Sequence, residues 1–259
     1  MDILQKTKIF YTKFKGEKAI IGKSLFGRPI YSFTVKKTDY PQIIIQYAIH
    51  AREYITTYLA LKQMERFDAC GKVGTIYFLP IMNPDGVSVA LNSNPLYKAN
   101  GRGVDLNVNF DARWGTGEKN VNVSGDENYI GSKPFSEPET VALKDFTLFI
   151  KPDATISYHS KGEEIYWEFF QPKECSKRDY SFAKAISEIT GYAIKSTQNS
   201  AGGYKDWCIE KLKIPALTIE VGRDELSHPI GKEYINEIYQ KNKRVPETAT
   251  EYLWGKLCK

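Results

Sequence analysis

Apolar positions recur along this chain with two periods, near two residues in some stretches and near 3.6 in others, so strands and helices are predicted to alternate. Residues 1 to 40 open on an amphipathic stretch. In IIGKSLFGRPIYSFTV, β-rich runs then flank a turn containing Gly and Pro, which predicts a peripheral hairpin. Gln42 to Ala48 (QIIIQYA) is a compact β-branched run of the kind buried inside a sheet. Thr56 to Phe67 carries a helical stripe of Leu59, Leu61, Met64 and Phe67, with Gly71 as the stop. Gly74 to Ile81 reads as the next strand, ending or lying at an edge at Pro80. Asn83-Pro84-Asp85-Gly86 reads as a turn.

From there to about Phe135 the chain is rich in Asn, Gly, Asp and Ser and has little periodicity. A connection of that length tends to be functional, and NGRGVDLNVNFDARWG suits a loop lining a cleft. Ser136-Glu137-Pro138-Glu139 predicts a capping box opening a helix to about Phe149. Ala154 to His159 returns as a strand, with EEIYWEFF as its hairpin or neighbouring strand. Tyr180 to Glu188 continues a helical stripe through Phe182, Ala185, Ile186 and Ile189, stopped by Gly191. Tyr192 to Thr197 and Ala216 to Val221 read as strands, Gly202 to Lys211 as a short helix, and Glu233 to Leu257 as a final helix interrupted at Pro246. A chain of 259 residues with no repeat or linker is expected to form one large domain.

Composition changes this picture little. With 42% hydrophobic and 26% charged residues the chain is an ordinary globular one, and no segment has the apolar run of a membrane span. The formal charge of +5 is scattered, without a basic block, so no motif favours nucleic acid as a partner. Cys70, Cys175, Cys208 and Cys258 lack C-x-x-C spacing and read as buried free thiols. The start, MDILQKTKIFYTKFKGEKA, lacks the features of a secretory signal, which points to a cytoplasmic location.

The chemistry gathers at strand ends. His50 and Glu53 stand three residues apart just past the run Gln42 to Ala48, where both can turn to one side and offer a nitrogen and an oxygen to a zinc ion. His159 ends a second strand. Together the three would form a two-histidine, one-carboxylate set with a fourth position open to water. A solvated helix start at His50 and a core histidine at His159 are the structural alternatives. Glu220 interrupts the apolar run ALTIEV, which is costly unless it is paired or catalytic. Ser227-His228-Pro229 reads as a surface turn.

The order His-x-x-Glu, NPDG, GVDLN-x-NF, His-Ser at a strand end, GG-x-x-DW and T-x-E resembles the zinc carboxypeptidases of the carboxypeptidase A type, colinearly from about Gly22 to Val221. The resemblance implies an α/β fold with a central mixed eight-stranded sheet and helices on both faces. It also implies a Zn2+ cofactor held by His50, Glu53 and His159, with Glu220 as general base and Arg52 contacting substrate further from the cut.

The sequence departs from that pattern around the substrate. Where relatives carry an Asn-Arg pair for the terminal carboxylate, this chain has Asn107-Val108. Losing the guanidinium removes a contact worth roughly 1.5–3 kcal/mol. The mobile tyrosine position falls on Gln198, which with the nearby Tyr204 is expected to contact substrate. For the oxyanion-stabilising arginine the candidates are Lys98 and Arg102, with Arg102 preferred, though either also reads as a solvated loop charge. The specificity-pocket position before Asp206-Trp207 is Lys205. A buried ammonium there calls for an anionic partner and so for a departing residue with a side-chain carboxylate, unless Lys205 points outward.

His159 to Trp167 (HSKGEEIYW) also resembles the bacterial γ-D-glutamyl-diamino-acid peptidases of this family. The expected substrate is therefore a murein peptide cut at its γ-D-glutamyl to meso-diaminopimelate bond. Alternatives are a carboxypeptidase removing acidic residues and a non-catalytic peptide- or wall-binding module.

Overall fold

The computed structural model describes the chain apart from residues 125, 126, 197, 198, 258 and 259. Helix α1 (Ile3–Lys13) is capped by Asp2, whose carboxylate accepts the Gln5 amide, and β1 (Lys18–Lys23) and β2 (Pro29–Lys36) follow as the expected antiparallel hairpin. The chain continues through β3 (Gln42–Tyr47), α2 (Ile55–Cys70), β4 (Thr75–Leu79), α3 (Pro84–Asn92), α4 (Pro138–Ile150), β5 (Ala154–His159) and β6 (Glu164–Tyr166). It ends with α5 (Lys173–Thr190), β7 (Ala193–Lys195), α6 (Tyr204–Trp207), β8 (Ala216–Glu220), α7 (Ile235–Asn242) and α8 (Val245–Leu257).

The strands form one mixed eight-stranded sheet in the order β1-β2-β4-β3-β5-β8-β6-β7, as the resemblance implies. Its centre is parallel, β4 with β3, β3 with β5 and β5 with β8. Strand alternation sends Ile43, Ile45 and Tyr47 to one face, against Leu59 and Phe67 of α2 and Phe182 of α5. Ile44 goes to the other, with Leu143 of α4 and Tyr204 and Trp207 of α6. The three isoleucines are fully buried, each contributing about 1.5–3 kcal/mol. Covering a sheet on both faces is what a continuous apolar run predicts.

Several local expectations give way to tertiary contacts. Asn83-Pro84-Asp85-Gly86 opens α3 rather than making a free turn, with the Asn83 side chain accepting the Gly86 amide at 2.9 Å. A Cβ at Gly86 would meet the Ala99 carbonyl oxygen and the Asn83 side chain, so this glycine marks close packing. The capping box before α4 does not form. Glu139 instead accepts the Leu25 amide at 3.1 Å, and Ser136 bonds Glu137.

Helix α5 begins at Lys173, well ahead of Tyr180. Strand β6 joins β8 and β7, not β5. The expected strand from Tyr192 shortens to β7, its end at Thr197 lying outside the described residues. Pro246 falls in the first turn of α8, where a missing N–H costs nothing, and the break lies before it. Of the thiols, Cys208 is buried, Cys175 half-buried and Cys70 exposed, while Cys258 lies outside the described residues. His228 is half-buried. Among the described residues no helix is long and apolar enough to cross a membrane.

Candidate metal centre and cleft

The parallel register aligns Tyr47 with Tyr158 and His159 with Glu220, so β3, β5 and β8 deliver their chemistry to the same carboxyl edge. Beyond β3 the chain bends sharply. Ala48 takes φ +49°, a left-handed conformation unusual for alanine. Hydrogen bonds hold it there, from its own amide to the Thr56 hydroxyl at 3.0 Å and from the Asn83 amide to the Ala48 carbonyl at 3.1 Å. A 3-10 turn over Ala51–Glu53 then turns His50 and Glu53 to one side.

His50 Nδ1 lies 2.9 Å from Glu53 Oε1, and His159 Nδ1 lies 3.0 Å from Glu53 Oε2 and 3.1 Å from His50 Nδ1. All three residues are buried. Among the described residues this is the one group of three or more His, Cys, Asp or Glu donors that converges. Two ring nitrogens facing each other beside a carboxylate need a cation or a proton between them. Donors around a tetrahedral zinc with bonds of about 2.0–2.1 Å stand roughly 3.3 Å apart, so the donor set fits that ion.

On the far side of the His50 ring, Nε2 lies 3.1 Å from Asp105 Oδ1, and Asp105 Oδ2 lies 2.7 Å from Lys98 Nζ. Asp105 also accepts the Asn107 amide at 2.9 Å. By accepting a hydrogen bond from the Nε2–H, Asp105 leaves Nδ1 free to bind metal and fixes the ring's orientation. Asp105 stands within GVDLN, where the sequence alone assigns it no role. Nothing in an irregular loop indicates which carboxylate will fold against a histidine 55 positions earlier.

The charges are strongly interdependent. Burial opposes the His50 imidazolium, yet Glu53 and Asp105 outweigh it and push its pKa up to about 9. Burial lowers that of His159. Burial also disfavours the Glu53 carboxylate, but the two histidines hold its pKa well below the usual range. A metal must displace protons from this set, so its binding weakens as pH falls. Glu220, partly exposed at the end of β8, is pushed well above the ordinary carboxylate range by burial and then by the neighbouring charge of Glu53.

A cleft of about 760 Å³ opens over this edge, and its walls include His50, Lys98, Asn107, Val108, Lys205 and Glu220. Lys98 gives its ammonium to Asp105 and, at 2.6 Å, to Asn128. Burial works against that ammonium, but Asp105 more than compensates and raises its pKa. Arg102 is exposed, lies 3.4 Å from the buried Glu137 and is not among the residues lining the cleft, so its place does not suit an oxyanion role.

Tyr204 is fully buried with its hydroxyl on Thr147, and its place in the core corrects the expectation of a substrate contact. Arg52 binds Glu127 at 2.8 Å and the Leu96 carbonyl at 3.3 Å. Gln198 lies outside the described residues. Lys205 points inward: it is 5% exposed and lies 2.6 Å from Asp206 Oδ1 and 2.8 Å from the Glu168 carbonyl. Its anionic partner is therefore a neighbour in the chain. Tyr166, which sequence reading left unassigned, also lines the cleft and donates to Glu164 at 2.6 Å.

The model of one family, described as zinc carboxypeptidase, matches residues 16–245. A γ-D-glutamyl-L-diamino acid endopeptidase of Lysinibacillus sphaericus is 28% identical, over 93% of this chain and 68% of its own length. Bovine thrombin-activatable fibrinolysis inhibitor superposes with a TM-score of 0.85 at 23% identity, covering 98% of this chain and 95% of the other. A murein-tripeptide amidase of Escherichia coli O157 gives 0.68 at 21% identity, covering 91% and 93%.

Proposed function

Since this chain belongs to the zinc carboxypeptidase family and is a zinc metallopeptidase, we propose that it hydrolyses the γ-D-glutamyl to meso-diaminopimelate bond of murein peptides. The observation that carries this reading is the charged floor of the cleft, where Lys205 is buried and Val108 stands in place of a guanidinium. Similarity to a peptidase named for a γ-D-glutamyl-diamino acid bond supports it.

His50, Glu53 and His159 would hold the zinc ion, which when bound would polarise the scissile carbonyl and acidify a water. Glu220 takes the proton of the attacking water and returns it to the departing amine. Lys98 keeps one N–H beyond those directed at Asp105 and Asn128, and gives it to the oxyanion. Asn107, whose side chain accepts the Tyr204 amide at 3.3 Å, positions the peptide. Arg52 contacts it further from the cut.

Incubation of the zinc enzyme with murein tripeptide, followed by mass spectrometry, is expected to release free diaminopimelate. Intact tripeptide together with cleavage of peptides ending in Glu or Asp would replace this reading with an acidic-residue carboxypeptidase. Steady-state kinetics separate the two oxyanion candidates. Lys98→Met is expected to lower kcat by about 10²–10³-fold, whereas Arg102→Met leaves it within about twofold, as for an exposed charge.

A further inference from the structure

Lys205 and Asp206 are 5% and 2% exposed, touch at 2.6 Å and both line the cleft. The pocket floor thus presents a positive and a negative group side by side. Each has bonding capacity to spare. Lys205 directs one N–H to Asp206 and one to the Glu168 carbonyl, leaving the third. Asp206 Oδ1 accepts from Lys205 and Oδ2 accepts the Gly203 amide at 3.1 Å, leaving the remaining carboxylate lone pairs.

The sheet beneath is polar where an apolar pocket would have aliphatic side chains. Gln46, Ser157 and Thr218 stand in register across β3, β5 and β8, on the face that one pleat later carries His159 and Glu220. Thr218 lines the cleft. Both side-chain polar atoms of Gln46, and the Ser157 hydroxyl, are buried with no hydrogen-bond partner among the described residues. Of the three only Thr218 lines the cleft, and Gln46 and Ser157 make the layer beneath it polar rather than aliphatic.

We propose that the Lys205–Asp206 pair recognises a zwitterionic amino-acid head on the departing residue, Lys205 taking its carboxylate and Asp206 its ammonium. This builds on the diaminopimelate reading above and sharpens it, because the far end of meso-diaminopimelate carries an ammonium and a carboxylate on one carbon. A bare side-chain carboxylate would gain Lys205 but crowd Asp206, and a bare ammonium would do the reverse. A zwitterion answers both charges without separating the pair.

The test is a series of departing residues, meso-diaminopimelate, 2-aminopimelate (no distal ammonium) and lysine (no distal carboxylate), each joined both to a γ-D-glutamyl group and to an ordinary α-peptide. Within a scaffold, kcat/KM is expected to favour meso-diaminopimelate over either analogue by about 10- to 100-fold, the size of one hydrogen bond to a charged group. Lys205→Met should abolish the advantage over lysine, and Asp206→Asn the advantage over 2-aminopimelate. Because Asp206 also accepts a backbone amide at the start of α6, the series on the unmutated enzyme decides if that variant does not fold. No advantage for meso-diaminopimelate in either scaffold overturns the proposal. Preference for it only in the α-peptide keeps the zwitterion site and removes the γ-D-glutamyl assignment instead.

Discussion

Glu220→Gln is expected to lower kcat by about 10²–10⁴-fold while the protein still binds one zinc. The substitution keeps the shape of the side chain and its place at the end of β8, in register with His159, and removes the ability to take and return a proton. Because Glu220 is not one of the converging donors, metal content by elemental analysis should not change. Loss of zinc would make it a ligand, and unchanged turnover would remove it as the base.

His159→Ala is expected to abolish both zinc binding and hydrolysis. It removes one of three donors that lie 2.9–3.1 Å apart and leaves Glu53 beside a single imidazole. The metal-stripped parent enzyme is the control for the cavity made at this buried position: it should regain thermal stability on adding zinc, whereas the variant should not. Asp105→Asn is the graded counterpart. It keeps all three donors but weakens the hold on the His50 Nε2–H, so metal affinity should fall by about 10- to 100-fold in a chelator competition. Unchanged affinity would leave Asp105 only its pairing with Lys98 and the Asn107 amide.

The elements legible in the sequence are those whose information is local and periodic. QIIIQYA reads as a doubly buried strand because every second side chain faces one helical layer or the other, and β3 is that strand. Gly71 and Gly191 end α2 and α5 as expected. The converging trio was legible for a related reason: strand ends carry chemistry in open α/β sheets, and histidines are scarce enough in this chain to be followed individually. The start of α5, by contrast, lies in a charged stretch whose apolar period is weak, so the pattern marks the helix only from Tyr180 while it begins at Lys173.

Contacts between distant segments carry no such local trace. Glu139 and Asn83 look like a capping residue and a turn residue, but one reaches Leu25 and the other the Ile49 and Ala99 carbonyls. Lys98 and Arg102 are equivalent as loop cations. The fold puts Lys98 on Asp105 over His50 and pairs the exposed Arg102 with Glu137, off the cleft walls. Tyr204 and Lys205 are adjacent, yet the short helix α6 sends the tyrosine into the core and the lysine to the cleft.

The sequence by itself determined the reaction class, because the converging donors stand at strand ends, where residue type alone marks them. The tertiary structure alone decided which charges meet in the cleft. A buried lysine read in isolation asks for an acidic substrate, whereas one held 2.6 Å from Asp206 offers paired charges, and electrostatic preference depends on the whole local set of charges rather than on any one of them.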